Sequence, residues 1–259
     1  MTSPTRPLAL ITGASSGIGA DLARELAKDG HDLVLSARTV PAMEALAAEL
    51  QTYGATSVVI AADLAKPGAA AELAGTLEAR GLQIDVLVNN AGLGGVGRFD
   101  QMDPQRVSDM LMINVVALTE LTRLLVPGMV ARRRGKVLLV ASTASFQPGP
   151  RMAVYFATKA YVLSLGEALA YELQGTGVTV TTLCPGATAT NFFQAAGANE
   201  IALKPAMSAS EVARIGYRAL RAGRRVVITG MLNRILALGG RYAPHSLTLP
   251  ATAALMSRR

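Results

Sequence analysis

Short apolar runs alternate with longer amphipathic ones along most of the chain. The runs "LALI" (8–11), "DLVLS" (32–36), "SVVIA" (57–61), "VLVN" (86–89), "KVLLVA" (136–141), "VTVTTLC" (178–184) and "RVVIT" (225–229) have the length and Val/Ile/Leu content of strands. Between them lie segments such as "GADLARELAKDG", "VPAMEALAAELQTYG" and "AAAELAGTLEARG", rich in Ala, Leu and Glu and closing on glycine, which predict helices. Near-continuous apolar strands are covered on both faces, and regular strand–helix alternation builds a parallel sheet. The expectation is a doubly wound α/β fold with a mostly seven-stranded central sheet, whose ligands lie at the carboxyl ends of the strands.

Chemistry is therefore sought at those ends. After the first strand comes "TGASSGIG", with Gly13, Gly17 and Gly19 spaced to turn the backbone and let it approach a pyrophosphate. The following helix offers its amides to the negative charge, and Ser15 and Ser16 add hydroxyls. An NAD-binding fold places an acid after the second strand for the ribose 2′-hydroxyl. Here Ala37 occupies that place and Arg38 follows, a fork suited to a 2′-phosphate, so NADP(H) is the expected cofactor. Arg38 is also consistent with a plain surface arginine at a helix start. The third strand ends on Asp63, an acceptor for an adenine amino group. The fourth ends in "NNAG", where Asn89, Asn90 and Gly92 read equally as turn formers.

The helix "AVYFATKAYV" (153–162) carries Tyr155 and Lys159 four apart, on one face, with Tyr161 on the other. A free phenol titrates near 10, so acid–base work at neutral pH needs a group that stabilises the phenolate. A snorkelling lysine beside a core tyrosine is the plainer reading of the helix alone. Ser142, at the fifth strand's end and thirteen residues before Tyr155, reaches the same sheet edge.

Taken in order, "TGASSGIG", "NNAG", Asn114 in "MLMINVVA", Ser142, "YFATK" and "PGATAT" resemble the short-chain dehydrogenase/reductase family from about residue 7 to about 229. The resemblance implies a Rossmann fold and hydride transfer between a nicotinamide and a carbonyl or secondary alcohol. It implies that Tyr155 is the acid or base, that Lys159 lowers its pKa and binds the nicotinamide ribose, that Ser142 binds the substrate oxygen, and that Asn114 holds a water in a proton path. It carries cofactor contacts onto Ile18, Leu64, Asn90, Ala91, Gly92, Pro185 and Gly186, and assigns the nicotinamide amide to Thr188 and Thr190. It also implies a homodimer or homotetramer through the helices bearing Asn114 and Tyr155. A non-catalytic NADP(H) sensor or scaffold is the competing class, and a 3-oxoacyl thioester reductase an alternative within the family.

Composition narrows the rest. One domain over 1–259 is expected, since 51% of the residues are hydrophobic and no linker or repeat interrupts them. Cys184 is the only cysteine, which excludes an internal disulfide. His31 and His245 lie far apart, so no metal cluster is expected. No signal-type segment and no unbroken span of about 18 apolar residues is evident, and a cytoplasmic protein is expected. The net charge of +7 is uneven: residues 1–199 hold 15 Lys/Arg and 16 Asp/Glu, residues 200–259 hold 10 and 2. No aromatic or basic repeat points to nucleic acid. Arg132, Arg133 and Arg134 either complement a helix C-terminus or meet an acidic carrier protein.

Residues 190–210 read as a substrate lid with Phe192, Phe193, Ile201, Leu203 and Met207, and Phe146 is assigned to the opposite wall of an apolar pocket. The same side chains would also pack a lid onto a core. The extension 230–259 is basic and partly apolar. A solvated arginine-rich surface, a subunit contact, a border of the substrate pocket and peripheral membrane contact all remain open for it.

Overall fold

The structure is a computed structural model and describes residues 6–197 and 206–257, with the side chains of Phe193 and of residues beyond 254 outside that description. Seven parallel strands form the central sheet: β1 (Leu8–Thr12), β2 (Asp32–Ala37), β3 (Ser57–Ala61), β4 (Val86–Asn89), β5 (Gly135–Val140), β6 (Val178–Cys184) and, after the short pair β7 (Thr188–Ala189) and β8 (Met207–Ser208), β9 (Val226–Ile228). Their spatial order is β3-β2-β1-β4-β5-β6-β9. The order reverses between β1 and β4, where Ala9 pairs with Val86 and Ile11 with Val88. That switch point opens the crevice in which such sheets bind ligands.

The strand alternation divides the core. Leu10, Val34, Leu87, Val137 and Leu139 face one apolar cluster, and Ile11, Leu33, Leu35, Val88 and Leu138 the other. The second cluster is completed by α1 (Gly17–Lys28), α2 (Val40–Leu50) and α8 (Ala209–Arg221), through Leu22, Leu26, Leu46, Val212 and Leu220. The first is completed by α3 (Ala69–Ala79), α5 (Leu118–Ala131) and α6 (Ala153–Glu172), through Leu73, Leu121 and Val162. Both faces are covered by helices, which is why the strands read as unbroken apolar runs.

Between α4 (Pro104–Leu111) and α5 the backbone makes a π-turn over Met112–Ala117. The combined rod, Pro104–Ala131, is long and apolar enough by length and composition to cross a membrane. Ile113, Ala117, Leu118 and Leu121 on it are buried in the sheet's core cluster, so here its apolar side serves as a core face. The chain then runs through the short α7 (Phe192–Ala195), and Ser208 and Glu211 close a capping box that starts α8. Helices α9 (Met231–Tyr242) and α10 (His245–Ser257) follow β9.

Candidate active site

The glycine-rich turn fits the end of β1 because three side chains are missing. Gly13 sits at φ +66°, and a Cβ there would come within 2.9 Å of Ala91 Cα. Gly17 opens α1 at φ +56°. A Cβ on Gly19 would lie 2.3 Å from the Gly13 carbonyl oxygen. Thr12 stitches this turn to the end of β4: its Oγ1 accepts from the Asn90 and Ala91 amides, both at 3.1 Å. Asn90 Nδ2 donates back to the carbonyls of Thr12 and Gly13. Ser16 caps α1 without a side-chain bond, and the first turn carries no acid, so no carboxylate of that turn competes with an anion at the helix's positive end.

Asn114 owes its position to the π-turn, a feature that re-aims helix side chains inward. Its Oδ1 accepts from Leu93 N at 2.8 Å, and its Nδ2 donates to Leu93 O at 2.9 Å and Thr158 Oγ1 at 3.0 Å. Both amide hydrogens are thereby committed, which leaves one Oδ1 lone pair for a water. Thr158 in turn donates to Tyr155 O.

Ser142, Tyr155 and Lys159 meet at the carboxyl ends of β5 and β6. The Ser142 hydroxyl caps the turn that follows it by accepting from Ala144 N, and its Oγ stands 3.4 Å from Pro185 O. Tyr155 is buried, which pushes its phenol up to about 12, while a hydrogen bond with Ser142 pulls the other way. Lys159 is also buried, and its ammonium is pushed down to about 8 by desolvation. Lys159 Nζ donates to Val140 O at 2.8 Å and lies 5.8 Å from the Tyr155 ring centre. Burial dominates the phenol, and the ammonium is directed at a carbonyl.

These groups share one cleft of about 670 Å³. Gly13, Ser15, Ser16, Gly17 and Ile18 line one end, with Arg38, Asp63 and Leu64 beside them. Asn90, Ala91 and Gly92 form the middle, and Ser142, Tyr155 and Lys159 the floor. Pro185, Gly186, Thr188 and Thr190 also line it, Thr190 so near the glycine turn that a Cβ on Gly17 would stand 3.1 Å from its Cγ2. Arg38 is exposed and has no ion pair among the described residues. An extended groove with a glycine cradle, a helix N-terminus and an open cation fits a nicotinamide dinucleotide.

Several assignments change. Gly19 does not line the cleft but lies beneath the turn, where its missing Cβ lets α1 approach. Asn114 sits behind the wall. Phe146 is not a wall residue: the turn Thr143–Phe146 points it into the main core cluster, and the next residue, Gln147, faces the cleft instead. Phe192 does reach the cleft, with its ring 5.3 Å from that of Tyr155. Ile201, Leu203 and the side chain of Phe193 lie outside the described residues. Cys184 is buried, and burial pushes its thiol up to about 12, which leaves it inert.

One other contributor had no local signal. Arg106 donates to the Gly94 and Ala195 carbonyls and so ties the loop after β4 to α7. The end wall of the cleft comes from Met231, Leu232 and Leu236 on α9 and Thr252 on α10, the last bonded to Gln147 Nε2 at 3.1 Å.

A family model described as short chain dehydrogenase matches residues 7–201. Among curated proteins, a very-long-chain 3-oxoacyl-CoA reductase of Pyrenophora tritici-repentis is 39% identical over 184 residues, which cover 68% of this chain and 53% of that protein. Among solved structures, a short-chain dehydrogenase from Sphingobium yanoikuyae in complex with NADPH superposes with a TM-score of 0.82 at 35% identity, covering 90% of this chain and 92% of the other. The bulky-bulky ketone specific alcohol dehydrogenase from Comamonas testosteroni gives 0.78 at 34%, covering 90% of each chain.

Proposed function

The chain belongs to the short-chain dehydrogenase/reductase family of oxidoreductases, and from that premise we propose that it is an NADP(H)-dependent carbonyl reductase or alcohol dehydrogenase acting on an apolar or amphipathic substrate. The observation that carries this reading is the convergence of Ser142, Tyr155 and Lys159 on the floor of one cleft with Phe192 against the phenol. A pure dinucleotide binder has no use for a hydroxyl and a phenol aimed into the same space.

Bound in the cleft, the dinucleotide would supply or accept the hydride. Tyr155 gives its phenolic proton to the substrate oxygen in reduction and takes it back in oxidation. With the phenol pushed up to about 12, it is protonated at neutral pH, the form that reduction requires. Ser142 orients the same oxygen through its hydroxyl. Lys159 holds a positive charge near the phenolate that forms as the proton leaves, and Asn114 and Thr158 hold α6 against the loop after β4. The preference for the 2′-phosphorylated cofactor is supported by Arg38 and by Ala37 in place of an acid.

The apolar substrate class is supported by Phe192, Met231, Leu232 and Leu236 around the cleft's outer end. A 3-oxoacyl thioester is one such substrate, in keeping with the Pyrenophora relative. The proposal includes one domain over 1–259, with 190–210 as lid and 230–259 as a cleft-bordering extension. It further includes a cytoplasmic location, which a lone buried cysteine favours, and a homodimer or homotetramer through α4 to α6, where Leu111, Leu124 and Tyr161 are exposed.

The test is NADPH and NADH consumption by the purified protein with 3-oxoacyl thioesters, steroid ketones, simple ketones, aldehydes and polyol-derived ketones. NADPH-dependent turnover of an apolar class is expected. Polar ketones turning over far better than apolar ones would discard the substrate reading, and turnover with NADH alone would discard the cofactor preference.

A further inference from the structure

Helix α9 turns the wrong side outward for a helix at the surface of a water-soluble protein. Its inner side is small: Ala237 is buried, and Gly240 lies so close to the turn before α6 that a Cβ would stand 2.2 Å from Gln147 Oε1. Its outer side is large and apolar. Met231, Leu232, Ile235, Leu236 and Tyr242, with Leu247 at the start of α10, are each between 56% and 79% exposed. Ordinary surface helices bury this stripe.

Charge decides what covers it. Arg234 and Arg241 stand seven apart on α9, two turns along one edge of the apolar face, and both are exposed. Arg241 approaches Glu167 on α6 only to 3.9 Å. The chain holds no acidic residue after Glu211, against nine arginines. A second copy docked through this face would bring like charges together with no acid of the segment to offset them. Large apolar side chains flanked by guanidinium groups instead match a lipid surface, where the former enter the acyl boundary and the latter meet phosphate.

We propose that the α9–α10 face docks on an anionic lipid bilayer as a peripheral contact. The docking does not depend on the substrate assigned above. One consequence does rest on that reading: Met231, Leu232 and Leu236 belong both to this face and to the cleft wall, so the apolar surface is continuous from bilayer to site. An apolar substrate would then enter the cleft from the membrane side.

The experiment is flotation of the full chain with vesicles of phosphatidylcholine containing one third phosphatidylglycerol, and with phosphatidylcholine alone. Binding to the mixed vesicles, weaker on neutral ones and weakened by salt, is expected. The double variants Ile235→Glu/Tyr242→Glu and Arg234→Glu/Arg241→Glu should each lower partitioning about tenfold or more. Because the chain contains no tryptophan, Ile235→Trp supplies a single indole reporter whose emission should shift to the blue on mixed vesicles. Absent flotation, flotation untouched by these substitutions, or an indole emission that mixed vesicles leave in place would overturn the proposal. Light scattering that finds a dimer broken by Ile235→Glu, without vesicle binding, would assign the face to a second copy instead. Vesicle binding without turnover of apolar carbonyls would keep the docking and remove the substrate reading.

Discussion

Replacing Asn114 by alanine removes a carboxamide that is wholly buried and makes three hydrogen bonds. The substitution strands Leu93 N–H and Leu93 C=O and releases Thr158, which keeps its bond to Tyr155 O. A buried polar group left unpaired costs about 1–3 kcal/mol. Leu93 is half-buried, so water recovers part of that cost, and the expected total is about 2–4 kcal/mol. For a chain of this size that corresponds to a Tm lower by roughly 5–15 °C. Urea midpoints and melting curves at one fixed protein concentration read both values, since any self-association would make Tm concentration-dependent. A loss below about 1 kcal/mol, the size of an ordinary surface substitution or little more, would refute the claim that this side chain ties the loop after β4 to α6.

Lys159→Met should abolish turnover yet raise stability at pH 7 by about 2 kcal/mol, the difference between an ammonium desolvation of about 3 and a lost bond to Val140 O of about 1. The buried amine titrates at about 8 instead of 10.5, so between those values the unfolded chain binds more protons. This group's penalty is therefore complete below pH 8 and fades as pH rises toward 10.5. The variant's advantage should shrink over that window in paired denaturation curves, and a constant advantage would contradict it. Arg38→Asp should move the ratio of NADPH to NADH dissociation constants at least tenfold toward NADH, since charge-assisted bonds contribute roughly 1.5–3 kcal/mol each. An unchanged ratio would remove Arg38 from the 2′-phosphate. Gly19→Ala forces a Cβ to 2.3 Å from the Gly13 carbonyl oxygen and should weaken cofactor binding about tenfold or more by calorimetry. Gly75→Ala, in α3 with nothing within 4 Å of its Cβ, should instead stabilise by roughly 0.5–1 kcal/mol.

The strands were legible because both sheet faces are covered, so each reads as an apolar run, and the expected and observed ends coincide or differ by one residue. The glycine turn, Arg38, Ser142, Tyr155 and Lys159 were legible because each sits at a strand end or on a helix that returns to the same edge. Phe146 was misplaced because a single 3-10 turn decides which of two adjacent side chains, Phe146 or Gln147, faces the cleft. The π-turn that aims Asn114 leaves no periodic signature in "MLMINVVA". Thr12, Arg106 and the Gln147–Thr252 bond join segments 78 to 105 residues apart, and no local pattern encodes such partners. The pKa of Tyr155 follows from burial, which spacing alone does not reveal.

The central claim is that the Tyr155 phenol is the proton donor. Single-turnover NADPH oxidation with the best carbonyl substrate, compared between the native chain and Tyr155→Phe, tests it by removing one oxygen from a buried ring. The account predicts a rate lower by about 10²–10⁴-fold, the usual contribution of a positioned general acid, with the NADPH dissociation constant changed by no more than about threefold. A variant that reduces the substrate within about tenfold of the native rate would contradict it and move proton donation to another group.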